Sequence, residues 1–333
     1  MYLVSVLAVA LVLGQEATAA TELEQRAAIT ASVQESFLAN DFDQLESMSS
    51  QYRTEKSRTS GGLWSLSRFY SALDETIEKQ SNGEDRDAQF EALDERIQKW
   101  TDKFPDSPTG HIARSQALIE RAWAHRGGGY ASTVKPESWA PFKHYIAMAR
   151  ANLEHFKSVA SVDPRWYEAM ILIARAENWD RSEFDALLNE ALEREPLFYQ
   201  TYFSALEYLL PKWHGNMEEI EDFAQDAVEK TREQEGLAIY ARIYWYASQS
   251  QYKDDIFNNT LVEWSQMKDG FEDIISRYPD AWNLNNYARF ACLAGDKPKT
   301  IELLKRVESS VVAEAWATPL LKDRCAFWAS QPQ

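Results

Sequence analysis

Asp163-Pro164-Arg165-Trp166, Glu195-Pro196-Leu197-Phe198 and Tyr278-Pro279-Asp280-Ala281-Trp282 are the stretches that decide the fold of this chain. Each sets a proline behind one apolar-striped segment and ahead of another, and Phe104-Pro105-Asp106 does the same earlier in the sequence. Proline clashes with a helix interior but fits its first turn, so each stretch closes one helix and opens the next. Repetition of that pattern predicts antiparallel helix pairs. One pair cannot bury its apolar side alone, so neighbours stack and present a long surface able to hold another molecule.

The stripes extend outward from these hinges. Leu23, Ala27, Ala28, Val33 and Phe37 give a helix over Thr21 to Asn40, and a second runs from Phe42 to about Arg53. Thr54 to Gly62 is polar, ends in two glycines and reads as a loop, after which a helix resumes at Leu63. Phe90, Leu93, Ile97, Trp100 and Phe104 share one face. His111 to His125 is helical until Gly127-Gly128-Gly129 stops it, and Trp139 to Val159 is expected as one helix. Ser182 is the expected cap of the helix before Pro196, and Asn258-Asn259-Thr260 reads as a helix start. Trp264, Met267, Phe271, Ile274 and Tyr278 keep helical spacing through Gly270. No stretch alternates with period two over a useful length, so the expected fold class is all-α.

Composition narrows the partners. The formal net charge of −17 argues against nucleic acid, whose phosphates need a basic stripe, and against anionic lipid surfaces. Twelve Trp, fifteen Tyr and fifteen Phe call for a large packed interior or an aromatic-lined groove. An apolar run from Tyr2 to Leu13, followed by Ala17-Thr18-Ala19, resembles a secretory signal peptide over residues 1–19, although its start carries no Lys or Arg. It is too short to span a bilayer by itself, so no stable membrane insertion is expected after its removal, and the mature chain is placed in the periplasm. Cys292 and Cys325 are the only cysteines; they either form one disulfide or are two separately buried thiols.

Tyr287-Ala288-Arg289-Phe290-Ala291-Cys292-Leu293-Ala294-Gly295-Asp296-Lys297-Pro298 and the helix after it resemble the tetratricopeptide repeat, with its Gly-Asp turn between helices A and B. Thr300 departs from that pattern, where alanine is preferred. The spacing of Pro164 and Pro196 is close to the ~34 residues of that repeat. Over the mature chain, the residues Gly62-Leu63-Trp64-Ser65-Leu66, Ala122-Trp123, Arg126 to Tyr130, Asp163 to Tyr167, Leu209 to Gly215 and Tyr240 to Trp245 resemble a bacterial family catalogued as domain of unknown function 4034. The resemblance implies a helical-repeat fold and leaves the role uncharacterised. The organisation expected is a leader over 1–19, an N-terminal helical segment over 20–105 and a tetratricopeptide-like α-solenoid over 106–333.

No HExxH pair, Gly-x-Ser-x-Gly elbow or phosphate-cradling loop is present, so neither a catalytic residue, a metal nor a cofactor is assigned. The candidate binding residues are basic and aromatic. Trp282, Asn285 and Arg289 lie three and four apart on one helix face, and Arg242 with Trp245 repeats the theme on the helix pair before. Asn can bond an extended backbone, Arg can clamp a carboxylate and Trp supplies a flat platform, which suits a peptide tail. The competing reading makes the tryptophans core residues with arginines lying over them. Two loop-borne clusters complete the set: Trp123 with Arg126, and Trp213 with His214 beside Lys212. The expected function is therefore capture of a protein or peptide partner on the concave face of an exported repeat array. The alternative is a glycan- or cell-wall-processing enzyme with paired carboxylates such as Glu120 and Glu190 in an aromatic groove.

Overall fold

The computed structural model describes residues 20–213 and 215–332. The expected leader over 1–19 and candidate residue His214 lie outside the described residues. Among the described residues there is no β-strand, only an isolated bridge between Arg58 and Trp64, and the chain is all-α. The first half holds α1 (Glu22–Ala39), α2 (Phe42–Glu55), α3 (Ser65–Gln80), α4 (Arg86–Lys103), α5 (Pro108–Arg126), α6 (Trp139–His155), α7 (Lys157–Ala160) and α8 (Pro164–Glu177). The second holds α9 (Arg181–Arg194), α10 (Tyr199–Leu209), α11 (Met217–Glu235), α12 (Ala238–Ala247), α13 (Ile256–Asn259), α14 (Trp264–Arg277), α15 (Ala281–Leu293), α16 (Lys297–Val307) and α17 (Pro319–Ser330).

The capping chemistry explains these boundaries. Thr21 and Glu24 form a capping box that starts α1, and Asn40 ends it in the left-handed conformation. Asp163 and Asp280 cap α8 and α15 by accepting the N–H groups of Arg165 and Trp282. Three sequence expectations are corrected. Asp180, not Ser182, caps α9, because its carboxylate takes both the Glu183 N–H and the Ser182 hydroxyl. Asn258-Asn259-Thr260 ends α13 instead of starting a helix. The helix expected over Trp139 to Val159 breaks at Phe156, whose ring lies over His111 and whose backbone begins the short α7.

Most helices adjacent in the chain pack together, and an inner row of α3, α5, α8, α10 and α12 also packs in sequence. One close approach fixes the α12–α14 pair. A Cβ on Gly270 would stand 2.5 Å from the Leu237 carbonyl oxygen and 2.9 Å from the Ala241 methyl. Gly270→Ala is therefore expected to destabilise by about 1–3 kcal/mol through overpacking, outweighing the ~1 kcal/mol gained in helix propensity. Urea denaturation measures the balance; a net gain in stability would mean that α14 moves aside without loss.

The polar segment between α2 and α3 is not a solvated loop. Thr59, Gly61 and Gly62 are buried, and the segment crosses the leading ends of successive inner helices like a strap. Arg53 pairs with Asp163 before α8 at 2.7 Å, Lys56 with Glu195 ahead of α10 at 2.8 Å, and Arg58 with Glu235 ahead of α12 at 3.4 Å. Ser60 donates to Asp280 before α15 at 2.8 Å, and Asp280 also accepts the Glu22 N–H at 3.0 Å. The Gly61 carbonyl accepts from Arg242 at 2.9 Å and Asn283 at 3.2 Å. Gly62 has φ +90°, and a Cβ there would meet the Tyr278 ring at 2.6 Å, so this turn requires glycine. Residues 20–105 are thus stitched onto the later repeats, and α1 reaches α15.

Candidate functional site

The strap fills one edge of the inner row. The opposite edge, where α5, α8 and α10 end, carries an open groove of about 680 Å³. Two clusters some ninety positions apart meet here, because the helices bearing them lie beside α8 in the row; Trp123 and Arg126, expected on a loop, belong instead to the last turn of α5, and Trp213 follows α10. The rings of Trp123 and Trp213 stand edge-on with centroids 6.4 Å apart. Trp123 also packs edge-on against Phe142 at 5.1 Å. Arg126 lies over Trp123 at 4.9 Å and over Trp139 at 5.3 Å, and its guanidinium holds the glycine turn by donating to the carbonyls of Gly127 and Gly129, each at 3.0 Å. Arg175, which the sequence reading missed, lies over Trp213 at 4.9 Å.

Three cations line this groove, Arg126, Arg175 and Lys212, against one carboxylate, Glu207. Glu207 takes both Arg175 at 3.3 Å and Lys212 at 3.1 Å. Burial lowers the pKa of Arg126 and of Arg175 from the usual guanidinium value, the cost of dehydrating a cation. The buried Nε of Arg175 and Nε1 of Trp213 have no protein acceptor. Tyr130 is 78% exposed on the glycine-rich rim. The groove therefore offers aromatic faces beside excess positive charge in a chain that is strongly acidic overall.

The candidates on the later inner helices go elsewhere. Arg242, Trp245 and Trp282 line a pocket beneath the strap. Asn285 and Arg289 share their helix but do not reach that cavity's lining. Asn285 is fully buried and holds the C-terminal connection, donating to the Ser310 carbonyl at 2.9 Å and accepting from the Val312 N–H and the Trp316 indole at 3.2 and 2.9 Å. Arg289 pairs with Asp254 at 3.1 Å. Asn285 is satisfied within the chain and Arg289 engages Asp254, its Nε being left without a partner, so the spacing that put the three residues on one helix face does not gather them into one surface.

Glu120 and Glu190 have separate partners: Gln116 for the first, and Lys157 with Tyr167 for the second. The most perturbed carboxylate is Asp74, which burial, reinforced by Glu168 and Glu120, pushes up to about 7 against the opposing pull of Arg165. Asp74 and Glu168 both engage Arg165, which also donates to Gln116 at 3.0 Å. This cluster ties α3, α5 and α8 together. Cys292 and Cys325 form a disulfide. No described helix is long and apolar enough to cross a membrane, and no group of three or more His, Cys, Asp or Glu among the described residues converges as metal ligands. Comparison with family models, with curated proteins and with solved structures finds no match.

Proposed function

We propose that this chain is an exported, tetratricopeptide-like helical-repeat protein, related to the family catalogued as domain of unknown function 4034, that captures a peptide segment of a protein partner. The capture surface in this reading is the groove at the trailing edge of α5, α8 and α10. The observation that carries it is the meeting of Trp123 and Arg126, at the end of α5, with Trp213, on the connection after α10, in one open groove. Paired tryptophans suit a large apolar side chain, and surplus guanidinium and ammonium groups suit a neighbouring carboxylate. The partner segment is therefore acidic and carries an aromatic or large aliphatic residue. Export is supported by the Cys292–Cys325 bridge, since disulfides persist in oxidising compartments, and by the leader-like start of the sequence.

Selection of a displayed random-peptide library on the mature protein tests this. The expected result is enrichment of peptides with an acidic residue next to an aromatic one. Affinity for the best of them should fall about thirty-fold in Trp213→Ala, the ~2 kcal/mol typical of an interface anchor. Binding that survives both Trp213→Ala and Arg126→Ala in folded protein would move the function away from this groove.

A further inference from the structure

A second site lies beneath the strap, independent of the groove. It is a cavity of about 230 Å³ whose walls come from α1, the strap, α3, α10, α12 and α15. Three guanidiniums, Arg26, Arg68 and Arg242, face it together with Trp245 and Trp282, and its lining includes no carboxylate. Such a concentration of cations is unexpected in a chain with a net charge of −17. Arg26 is balanced by Glu22 at 2.5 Å. Among the described residues, neither Arg68 nor Arg242 forms an ion pair, and Arg242 is engaged only by the Gly61 carbonyl and the rings of Tyr199 and Tyr278.

Several donors here lack a protein acceptor. Arg242 is 4% exposed and Trp245 7% exposed, yet the Arg242 Nε and the Trp245 Nε1 are buried without a hydrogen-bond partner in the chain, as is the Nε of Arg68. A buried donor left unpaired costs about 1–3 kcal/mol, so an acceptor brought within reach of these three side chains would offset that cost. Burial and the nearby Arg26 charge lower the Arg68 pKa, against the opposing pull of Glu75 and Glu22. Part of the wall is flat and aromatic: Trp245 and Trp282 lie 6.1 Å apart at 30°, and Phe203 stacks on Tyr246 at 4.8 Å. A cavity of ~150 Å³ accepts benzene, so this one has room for a ring with a charged head.

We propose that this cavity binds a small aromatic or unsaturated anion, its carboxylate or phosphate held by Arg68, Arg242 and the Trp245 indole and its body against the aromatic wall. The probes are benzoate, phenyl phosphate, benzyl alcohol and inorganic phosphate, each titrated calorimetrically into the full mature chain. Benzoate or phenyl phosphate is expected to bind with Kd below ~1 mM, the two arms deciding which head group the site prefers, with benzyl alcohol and inorganic phosphate at least tenfold weaker. Arg68→Gln, which removes no hydrogen bond within the chain, should weaken the better probe about tenfold or more, and Trp245→Phe should weaken it several-fold while keeping the ring. The proposal is overturned if neither aromatic anion binds below ~10 mM, if benzyl alcohol or inorganic phosphate binds equally well, or if folded Arg68→Gln and Trp245→Phe both bind as the parent does.

Discussion

Replacing Asp163 with alanine is expected to lower the stability of the fold by about 3–5 kcal/mol, because one fully buried carboxylate serves three elements at once. Its Oδ1 accepts the Arg165 N–H at 2.9 Å and so caps α8. Its Oδ2 accepts the Arg53 guanidinium at 2.7 Å and the Tyr70 hydroxyl at 2.8 Å, which brings in the end of α2 and the inner face of α3. Alanine removes the cap, worth about 0.5–2 kcal/mol alone, and strands a buried phenol and a largely buried cation. These losses overlap because the same carboxylate makes them, so the pair-breaking magnitude bounds the whole and they are not summed. Asparagine keeps the shape and one acceptor, so Asp163→Asn should cost roughly half as much. Urea denaturation with an unchanged slope reads both values. A loss under ~1 kcal/mol for alanine would mean that Arg53 and Tyr70 find water or new partners, and that the strap is not anchored at this residue.

The helix pairs were legible because their signals are local. Proline in the first turn, aspartate at the caps of α8 and α15, and stripes such as Trp264, Met267, Phe271 and Ile274 are all read within a few residues. The strap was not legible, and its chemistry says why. Its polar composition is that of a solvated loop, yet Thr59, Gly61 and Gly62 are buried by hydrogen bonds whose partners lie up to 222 positions away. The convergence of Trp123 and Trp213 depends on the stacking of α5, α8 and α10, which no local pattern encodes. Arg26 and Arg68 escaped notice for a related reason. Each sits on a helix whose charged residues look like an ordinary solvated face, and only the approach of α12 and α15 brings them to one cavity. Arg242, Trp245 and Trp282 stood out as basic and aromatic residues on one face, and all three line the cavity beneath the strap. Asn285 and Arg289 satisfied the same spacing rule but stand further along α15, where the 310–316 connection and Asp254 occupy their polar groups.

Reduction of the Cys292–Cys325 bridge, or its replacement in Cys292→Ser/Cys325→Ser, is expected to release α17 while leaving α15 folded. The bridge closes a loop spanning a sequence separation of 33, which in the chain-entropy model contributes about 3–4 kcal/mol. Little else holds this helix. Its buried apolar side chains are Leu321, Cys325 and Ala329, whereas Leu320 and Phe327 are each 70% exposed. Burying one leucine contributes about 1.5–3 kcal/mol, and ordering each residue of the helix costs about 1–2 kcal/mol, so without the cross-link the docked state loses its advantage. The connection ahead of α17 differs: Trp316 is 1% exposed and bonded to Asn285, so the break should fall between Trp316 and the start of α17. Hydrogen exchange read by mass spectrometry distinguishes the outcomes. In the reduced protein the amides of 319–330 should exchange at rates near those of an unfolded peptide, with those of 281–293 still protected. Equal protection of 319–330 with and without the bridge would show that Leu321 and Ala329 suffice to dock α17, and that the disulfide is redundant for its placement.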